Sequence, residues 1–156
     1  GGNPAGVADS FQPKGVIMVL SVPGVSGVYN LYNGEDLGGN SITEGIGQGR
    51  ITANLEGFTP DFCYKIPDSE ALPVVFDLLE HEGLCLGGSS GVNVAGAMRM
   101  ARDMGPGHPS VTILCDFGTR YQSKLFNPEF LTAKGLPTPR WLDRTPASIP
   151  GVFEDA

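Results

Sequence analysis

The chain has 156 residues, of which 40% are hydrophobic and 17% are charged, so it can bury a core of ordinary size as one domain without disulfides or a structural metal. Its formal net charge of −7 argues against nucleic acid and anionic membranes as partners, because an acidic surface repels phosphate groups. The 23 glycines and 13 prolines favour tight turns and ordered loops over long uninterrupted helices.

The first predicted elements are a short helix and a buried strand. Residues 3–12 are predicted to form the helix, capped by Asn3 and with Pro4 at its first position. The apolar run at residues 15–20, VIMVL after a glycine, predicts a strand that ends in a turn around Pro23.

The segment PDSEALPVVFDLLEHEG predicts the clearest helix of the chain. Asp68 or Ser69 is its expected cap, and Gly83 is its expected stop. Its apolar residues recur at the spacing of one helical face and are predicted to contribute to the core: Leu72, Val75, Phe76 and Leu79.

A strand, a loop, a helix and a second strand follow in the next thirty residues. The short apolar run at 84–86 leads into a loop rich in glycine and serine, and apolar residues then recur at helical spacing: Val94, Ala97, Met98 and Ala101. Residues 111–114 predict the second strand. This order is typical of a βαβ unit, so we expect an α/β fold with a parallel sheet.

The last segment is predicted to hold one short helix near residues 121–126. We expect the proline-rich stretch after it to lie on the surface and to fray beyond Asp143.

The motif GGSSG lies where the first strand of this unit meets the helix. Gly87 and Gly88 allow a sharp turn, and Ser89 and Ser90 present hydroxyl and N–H groups at a helix start, where the helix dipole is positive. Such a site suits a phosphate, a carboxylate or a heteroaromatic nitrogen. The alternative is a serine-capped helix after a tight turn, because Ser is a preferred cap in helices generally.

A long polar loop is predicted over residues 34–54, and loops of this length often carry function. It contains EGIGQGR, in which Gly45, Gly47 and Gly49 alternate. The spacing does not match a dinucleotide-binding loop. Two interpretations remain, a loop that faces a ligand and a loop that needs positive backbone angles.

Asp116 stands at the carboxyl end of the last predicted strand, the edge at which open α/β sheets bind ligands. It could face a ligand or orient a turn, and we favour the structural role because Asp is common in such turns. His81 and His108 have no recognisable partner and are expected to be solvated. No nucleophile and base can be paired from spacing.

The cysteines and the hydropathy pattern indicate a cytoplasmic protein. Cys63, Cys85 and Cys115 are odd in number and widely spaced, so they are expected to be small buried residues in a reducing compartment. No apolar run has the length needed to cross a membrane, and the start of the chain lacks the pattern of a signal peptide.

Three segments, in this order, resemble the cysteine synthase and cystathionine β-synthase family: EGIGQGR, EGLCLGGSSGVNVAGAMRMA and TILCDFGTRYQSKLF. The resemblance runs from residue 1 to residue 143. It implies the carboxy-terminal half of an enzyme dependent on pyridoxal 5′-phosphate (PLP), with the tryptophan-synthase-β-like fold, an open and mostly parallel sheet flanked by helices. Residues 1–143 would then form a truncated cofactor-binding domain and residues 144–156 a surface tail.

The resemblance also implies which residues contact the cofactor. The start of the chain matches the end of a glycine-rich phosphate loop, with Asn3 in place of the family's final Thr. The loop around Ile46 matches the one that borders the substrate side of the cofactor, and Ser89 matches the residue whose hydroxyl meets the pyridine nitrogen. The complete cofactor-binding set is Gly1, Gly2, Asn3, Gly45, Ile46, Gly47, Ser89 and Asp116, with Asp116 in a supporting role.

A hydroxyl at the ring nitrogen implies a particular reaction. Unlike a carboxylate, it does not hold a proton on that nitrogen, so the ring is a weaker electron sink. The resemblance therefore implies β-replacement on O-acetylserine, serine or a related amino acid with a sulfur nucleophile, rather than transamination.

The family's Schiff-base Lys belongs to the amino-terminal half and has no counterpart here. Lys14, Lys65, Lys124 and Lys134 lie in no matching motif, so the chain holds no catalytic residue and is expected to be inactive alone. Since the sequence opens within a family motif, we expect it to be a fragment.

Two other hypotheses stay open. The chain could be a non-catalytic truncated paralogue, an interaction module that associates with a full-length relative or with serine acetyltransferase. A homo-oligomer is expected in this case, because a cut sheet edge and uncovered apolar surface favour association. A nucleotide-binding α/β domain is the third hypothesis and would need nucleotide binding at residues 87–91.

Overall fold

The computed structural model describes residues 19–23, 41–44, 46, 53 and 60–143, with residues 19–23 described as backbone only. The predicted helix at 3–12, most of the predicted strand at 15–20, most of the loop at 34–54 and the tail from residue 144 lie outside these ranges.

Two strands pair in parallel. β1 (Val19–Pro23) lies beside β2 (Phe62–Ile66), with Val19 opposite Phe62 and Pro23 opposite Ile66. The strand predicted at residues 15–20 is confirmed at residues 19 and 20 and extends to Pro23, and the turn expected around Pro23 lies partly outside the described residues; β2 was not predicted. The parallel pairing is the kind expected of an α/β fold.

Helix α1 (Asp68–Glu82) confirms the strongest helix prediction, and its termination at Gly83 is also confirmed. Gly83 has φ of 70°, a left-handed conformation that Gly adopts without steric penalty. The predicted cap is wrong. Pro67 occupies the cap position, and Asp68 is the first helical residue, with its carboxylate bonded to a distant loop instead of to the helix end.

Helix α2 (Gly88–Met104) confirms the second helix but buries a different face from the one predicted. Val94 and Ala97 are half-buried, and Met98 is 44% exposed. The buried face carries Val92 and Met100 among residues that are otherwise small: Ser89, Ser90, Gly91, Ala95 and Gly96. Small side chains let α2 approach α1 and β2 closely, a contact that a pattern of large apolar residues does not reveal.

The strand predicted at Val111–Leu114 is not observed, so the βαβ prediction is wrong in its second strand. Residues 108–115 have no regular structure, and Val111 is 96% exposed. Within the described ranges no strand lies beside this segment; its Ile113 carbonyl accepts a hydrogen bond from Asn93 Nδ2 at 2.9 Å. Of the strand predicted at residues 84–86, the structure shows only one antiparallel bridge, between Leu86 and Phe117.

The end of the described chain contributes to the core, contrary to the expected surface location. Residues Gly118–Tyr121 and Arg140–Asp143 form 3₁₀ turns, and the unpredicted helix α3 spans Pro128–Ala133. The helix expected at 121–126 is a series of turns that follows the first 3₁₀ segment. One hydrophobic cluster joins this region to α1 and contains Leu72, Val75, Phe76, Leu125 and Leu131.

The cysteines are less buried than expected. Cys63 and Cys85 are partly exposed, and Cys115 is exposed. The prediction that they serve as fully buried small residues is therefore wrong.

Candidate functional site

A recess of about 260 Å³, including space open to solvent, lies at the amino-terminal end of α2. We call it the α2 recess. Its lining comes from the first turn of α2, from a segment of the predicted functional loop, and from the turns after Gly118: Ile42, Thr43, Glu44, Gly88, Ser89, Tyr121, Lys124 and Leu125.

The two serines of the GGSSG motif have different environments. Ser89 lines the recess and is 9% exposed, and among the residues that the structure describes none bonds to its hydroxyl. Ser90 is fully buried, and its Oγ accepts a hydrogen bond from the Cys115 N–H at 2.9 Å. Ser90 is therefore occupied in the fold, whereas the hydroxyl of Ser89 is available to a ligand.

The helix start is built by glycine at the cap position. Gly87 is the N-cap of α2 and no side chain caps the helix, so the interpretation of this motif as a serine cap is wrong. A Cβ atom on Gly87 would lie 2.7 Å from Tyr121 Cε2, and one on Gly88 would lie 3.2 Å from Thr43 Oγ1. The recess walls thus touch the first turn of α2 directly, which only small residues allow.

The loop segment beside Ser89 is held by the carboxylate of Asp68, which the sequence analysis assigned only to a helix cap. Ser41 Oγ donates to Asp68 Oδ1 at 2.7 Å, and the Ile42 N–H donates to Asp68 Oδ2 at 2.8 Å. Thr43 completes the arrangement by donating its N–H to Ser41 Oγ at 3.1 Å. Asp68 is 8% exposed, so a buried acceptor at the start of α1 fixes this side of the recess.

Asp116 supports the opposite wall. Its Oδ2 accepts from the Tyr121 hydroxyl at 2.5 Å and lies 3.5 Å from Arg120 Nη1. The hydrogen bond to Asp116, with a smaller effect of burial, raises the pKa of Tyr121. Asp116 itself does not line the recess. It supports the recess indirectly, by holding the Tyr121 side chain that does line it.

One ion pair crosses the recess mouth, between Lys124 and Glu44. Both side chains are partly exposed, at 38% and 56%, so solvent screens the attraction. The pair links the loop segment to the turns after Gly118.

The predicted cofactor residues can now be located. Ser89 lines the recess and Asp116 supports its wall; Ile46 is 37% exposed and is not among the lining residues. Gly1, Gly2, Asn3, Gly45 and Gly47 lie outside the described residues. The family resemblance places the GTRY segment, which ends at Tyr121, in a supporting role near the site. Sequence reasoning missed Thr43, Asp68 and Lys124 as parts of the site, since each is brought there by tertiary contacts.

Other predicted features can be placed as well. His81 and His108 are both exposed, as expected of solvated histidines. Over the described ranges, no group of three or more His, Cys, Asp or Glu side chains could hold a metal ion, and no helix there is both long and apolar enough to cross a bilayer.

The recess combines the positive end of a helix with a hydroxyl open to a ligand. It can accept a hydrogen-bond acceptor such as a heteroaromatic nitrogen or an anionic oxygen at Ser89. Lys124 adds little positive charge, because Glu44 offsets it. These groups can bind and orient a ligand.

The chain is similar to several curated proteins, although no family model matches it. It is 35% identical over 153 residues to cysteine synthase 2 of Schizosaccharomyces pombe, and 46% identical over 100 residues to cysteine synthase 1 of Emericella nidulans. Cystathionine β-synthase of Oryctolagus cuniculus is 34% identical over 106 residues. The chain belongs to the cysteine synthase and cystathionine β-synthase family.

The aligned regions cover only part of these family members. The match includes 87% of this chain but 39% of the Schizosaccharomyces protein, and 63% of this chain but 27% of the Emericella protein. The chain thus spans about two fifths or less of the length of these relatives.

Two solved structures establish the fold class. An O-acetylserine dependent cystathionine β-synthase from Helicobacter pylori matches 70% of this chain and 34% of its own, with a TM-score of 0.61 and 29% identity. A variant of O-ureido-L-serine synthase with O-ureido-L-serine bound matches 79% of this chain and 40% of its own, with a TM-score of 0.60 and 23% identity. The predicted class, a partial tryptophan-synthase-β-like α/β fold, is confirmed.

Proposed function

We propose that this chain forms the ring-nitrogen side of the cofactor site in a PLP-dependent β-replacement enzyme of the cysteine synthase type. The amino-acid substrate would be O-acetylserine, serine or a close relative, and the nucleophile would be a sulfur compound. The observation that carries the proposal is the hydroxyl of Ser89, which lies at the start of α2 in the recess and has no partner in the described part of the chain.

The α2 recess fits such a cofactor in its chemistry. Ser89 would donate its hydroxyl proton to the pyridine nitrogen, and Gly88 with Thr43 would border the ring. When bound, PLP supplies the electron sink for breaking bonds at the substrate's α and β carbons. A neutral hydroxyl does not keep the ring nitrogen protonated, which favours elimination and replacement over transamination.

The amine that links covalently to the cofactor would come from outside this sequence. Lys124 lies in the recess but is paired with Glu44, and it matches no family motif. We therefore expect the chain alone to catalyse no turnover, and expect turnover when a segment with the Schiff-base Lys of a relative is present.

A second candidate, the interaction module, is favoured by one observation. Val111, Ile113 and Phe117 are 96%, 71% and 74% exposed, and neighbouring exposed apolar side chains are typical of a surface that another polypeptide covers. Full-length relatives, serine acetyltransferase and a second copy are the partners considered. Light scattering of the chain alone tests association with a second copy, and light scattering of its mixtures with a full-length relative or with serine acetyltransferase tests the other two partners. A chain that stays monomeric alone and forms no complex in either mixture would contradict this candidate.

The catalytic proposal is tested by assembling the chain with the amino-terminal segment of the Schizosaccharomyces relative. We expect cysteine formation from O-acetylserine and sulfide, a loss of at least tenfold in Ser89→Ala, and a larger share of keto acid in Ser89→Asp. Ser110→Ala, at an exposed serine, is the matched control and should retain full activity. If Ser89→Ala and Ser110→Ala are equally active, the proposal is wrong.

A further inference from the structure

One carboxylate far from the recess in sequence organises its loop wall. Asp68 lies 26 and 27 residues from the groups that it binds, the Ile42 N–H and the Ser41 hydroxyl. Each carboxylate oxygen takes a different one of these donors, so the side chain fixes both the backbone and a side chain of the loop.

Ser41 extends the hydrogen bonding of Asp68 from Ile42 to Thr43. We call the hydrogen bonds that join Asp68 and residues 41–43 the grip on the loop. Its hydroxyl donates to Asp68 and accepts from the Thr43 N–H, which uses both capacities of the same oxygen. Thr43 in turn lies against Gly88 at the first turn of α2, close enough that a Cβ there would be 3.2 Å from Thr43 Oγ1. A continuous path of contacts therefore runs from Asp68 to the residue that precedes Ser89.

We infer that Asp68 is a positioning residue, whose carboxylate holds residues 41–43 against the start of α2 and so sets the shape of the α2 recess. A carboxylate suits this task because it is acceptor-only and both donors point at it. Burial of Asp68, which is 8% exposed, strengthens the requirement, since an unpaired buried polar group costs more free energy than an exposed one. The effect on cofactor binding rests on the proposed function, whereas the grip on the loop does not.

Amide hydrogen exchange of the full chain tests the grip without cofactor. In Asp68→Ala, exchange at Ile42 and Thr43 should accelerate at least tenfold while the amides of β2 keep their rates. In Ser41→Ala, the acceleration should be confined to Thr43, because the Ile42 N–H keeps its acceptor. In Asp68→Asn, exchange at Ile42 should be slower than in Asp68→Ala, since the side-chain amide oxygen can still accept the hydrogen bond from the Ile42 N–H.

A matched control separates this role from loss of acidic charge on α1. Asp77→Asn removes one negative charge from an exposed position on the same helix and should change neither Ile42 nor Thr43. Unchanged exchange at both amides in Asp68→Ala would overturn the inference. If Asp68→Ala does not fold, Asp68→Asn decides the matter, because it leaves only one acceptor oxygen for two donors. Faster exchange at Ile42 or Thr43 than in the wild type supports the role of the carboxylate, and wild-type exchange at both amides refutes it.

The link to the cofactor is measured in the same assembly that tests the proposed function. We expect Asp68→Ala to raise the dissociation constant for PLP at least fivefold, and Asp68→Asn to recover part of the affinity. If the exchange results hold but neither Asp68→Ala nor Ser89→Ala weakens PLP binding, the proposed function fails while the grip on the loop stands. If Ser89→Ala weakens binding and Asp68→Ala does not, the positioning role fails instead.

Discussion

The Tyr121 hydroxyl donates to Asp116 Oδ2 at 2.5 Å, and the main-chain carbonyl of the same Asp116 accepts from the Gly87 N–H at 2.8 Å. Asp116 thus joins a wall of the recess to the cap of α2. Because the Tyr121 ring also lies against Gly87, these three residues brace one another. This arrangement stabilises the start of α2, where Gly87 is the cap residue and no serine side chain caps the helix.

Replacing Tyr121 with Phe should remove the hydrogen bond and keep the ring in place. The expected loss in the free energy of unfolding near pH 8 is about 1 kcal/mol, the usual net value of one such bond. Since the Tyr121 pKa is raised in the folded chain, its contribution is present below the ordinary tyrosine pKa of about 10 and is lost as pH rises further. Urea titrations from pH 8 to 11 should show a smaller decline in Tyr121→Phe than in the wild type.

Tyr64 provides the comparison for this experiment. Burial, followed by a hydrogen bond to Asp103, raises its pKa as well, so it also contributes to the decline at high pH. Tyr64→Phe should remove a separate part of the decline in the free energy of unfolding at high pH. In the double variant, the free energy of unfolding should depend least on pH. Identical pH profiles for Tyr121→Phe and the wild type would show that the Asp116 bond is absent in solution.

The adjacent residues Ser89 and Ser90 should differ in how much their replacement by alanine lowers the free energy of unfolding. Ser90→Ala leaves the Cys115 N–H without its protein acceptor and should lower the free energy of unfolding by about 1 kcal/mol. Ser89→Ala should change it by less than about 0.5 kcal/mol, because no described residue depends on that hydroxyl. Urea denaturation of both variants measures this, and equal losses would contradict the division of roles.

The contact between α1 and α2 depends on the absence of a side chain at Gly91. A Cβ there would lie 2.6 Å from both Ala71 O and Val75 Cγ2. Gly91→Ala should therefore destabilise the chain by about 3 kcal/mol or more, through overpacking of a rigid contact. Thermal and urea unfolding both report this value.

Gly83→Ala is the control for backbone strain alone. Nothing lies within 4 Å of its added Cβ, but its φ of 70° disfavours a side chain, so about 1 kcal/mol is expected. If Gly91→Ala were as mild as Gly83→Ala, the helices would pack less closely than the structure shows.

Local signals in the sequence predicted the helices better than the strands. The extent of α1 follows from its apolar periodicity and from Gly83, and both are properties of nearby residues. The strand expected at 111–114 depends on a partner strand, which a local pattern does not specify. Helix α3 carried a usable signal, since Asn127 caps it and Pro128 begins it, but its six residues are too few for periodicity.

The candidate site was predictable only where one short motif carried it. Ser89 could be placed at a helix start because glycine and serine precede an amphipathic run within the same segment. The contacts of Asp68 could not be predicted, because they join groups 26 and 27 residues apart. Its position at a helix start suggested a cap, whereas in the folded chain the Asp68 carboxylate accepts hydrogen bonds from the loop at residues 41 and 42.

Arg99 provides a last test, because it secures α2 to α1 and β2 through the shape of its guanidinium group. It pairs with Glu70 through two nitrogens, donates to the Lys65 carbonyl at 3.2 Å, and lies 6.0 Å from the centre of the Tyr64 ring. Arg99→Lys keeps the charge but loses the forked geometry, so we expect a loss of about 1 to 2 kcal/mol in urea denaturation. Arg102→Lys, at an exposed position on α2, should have no measurable effect. A wild-type free energy of unfolding in Arg99→Lys would show that charge alone holds these elements together.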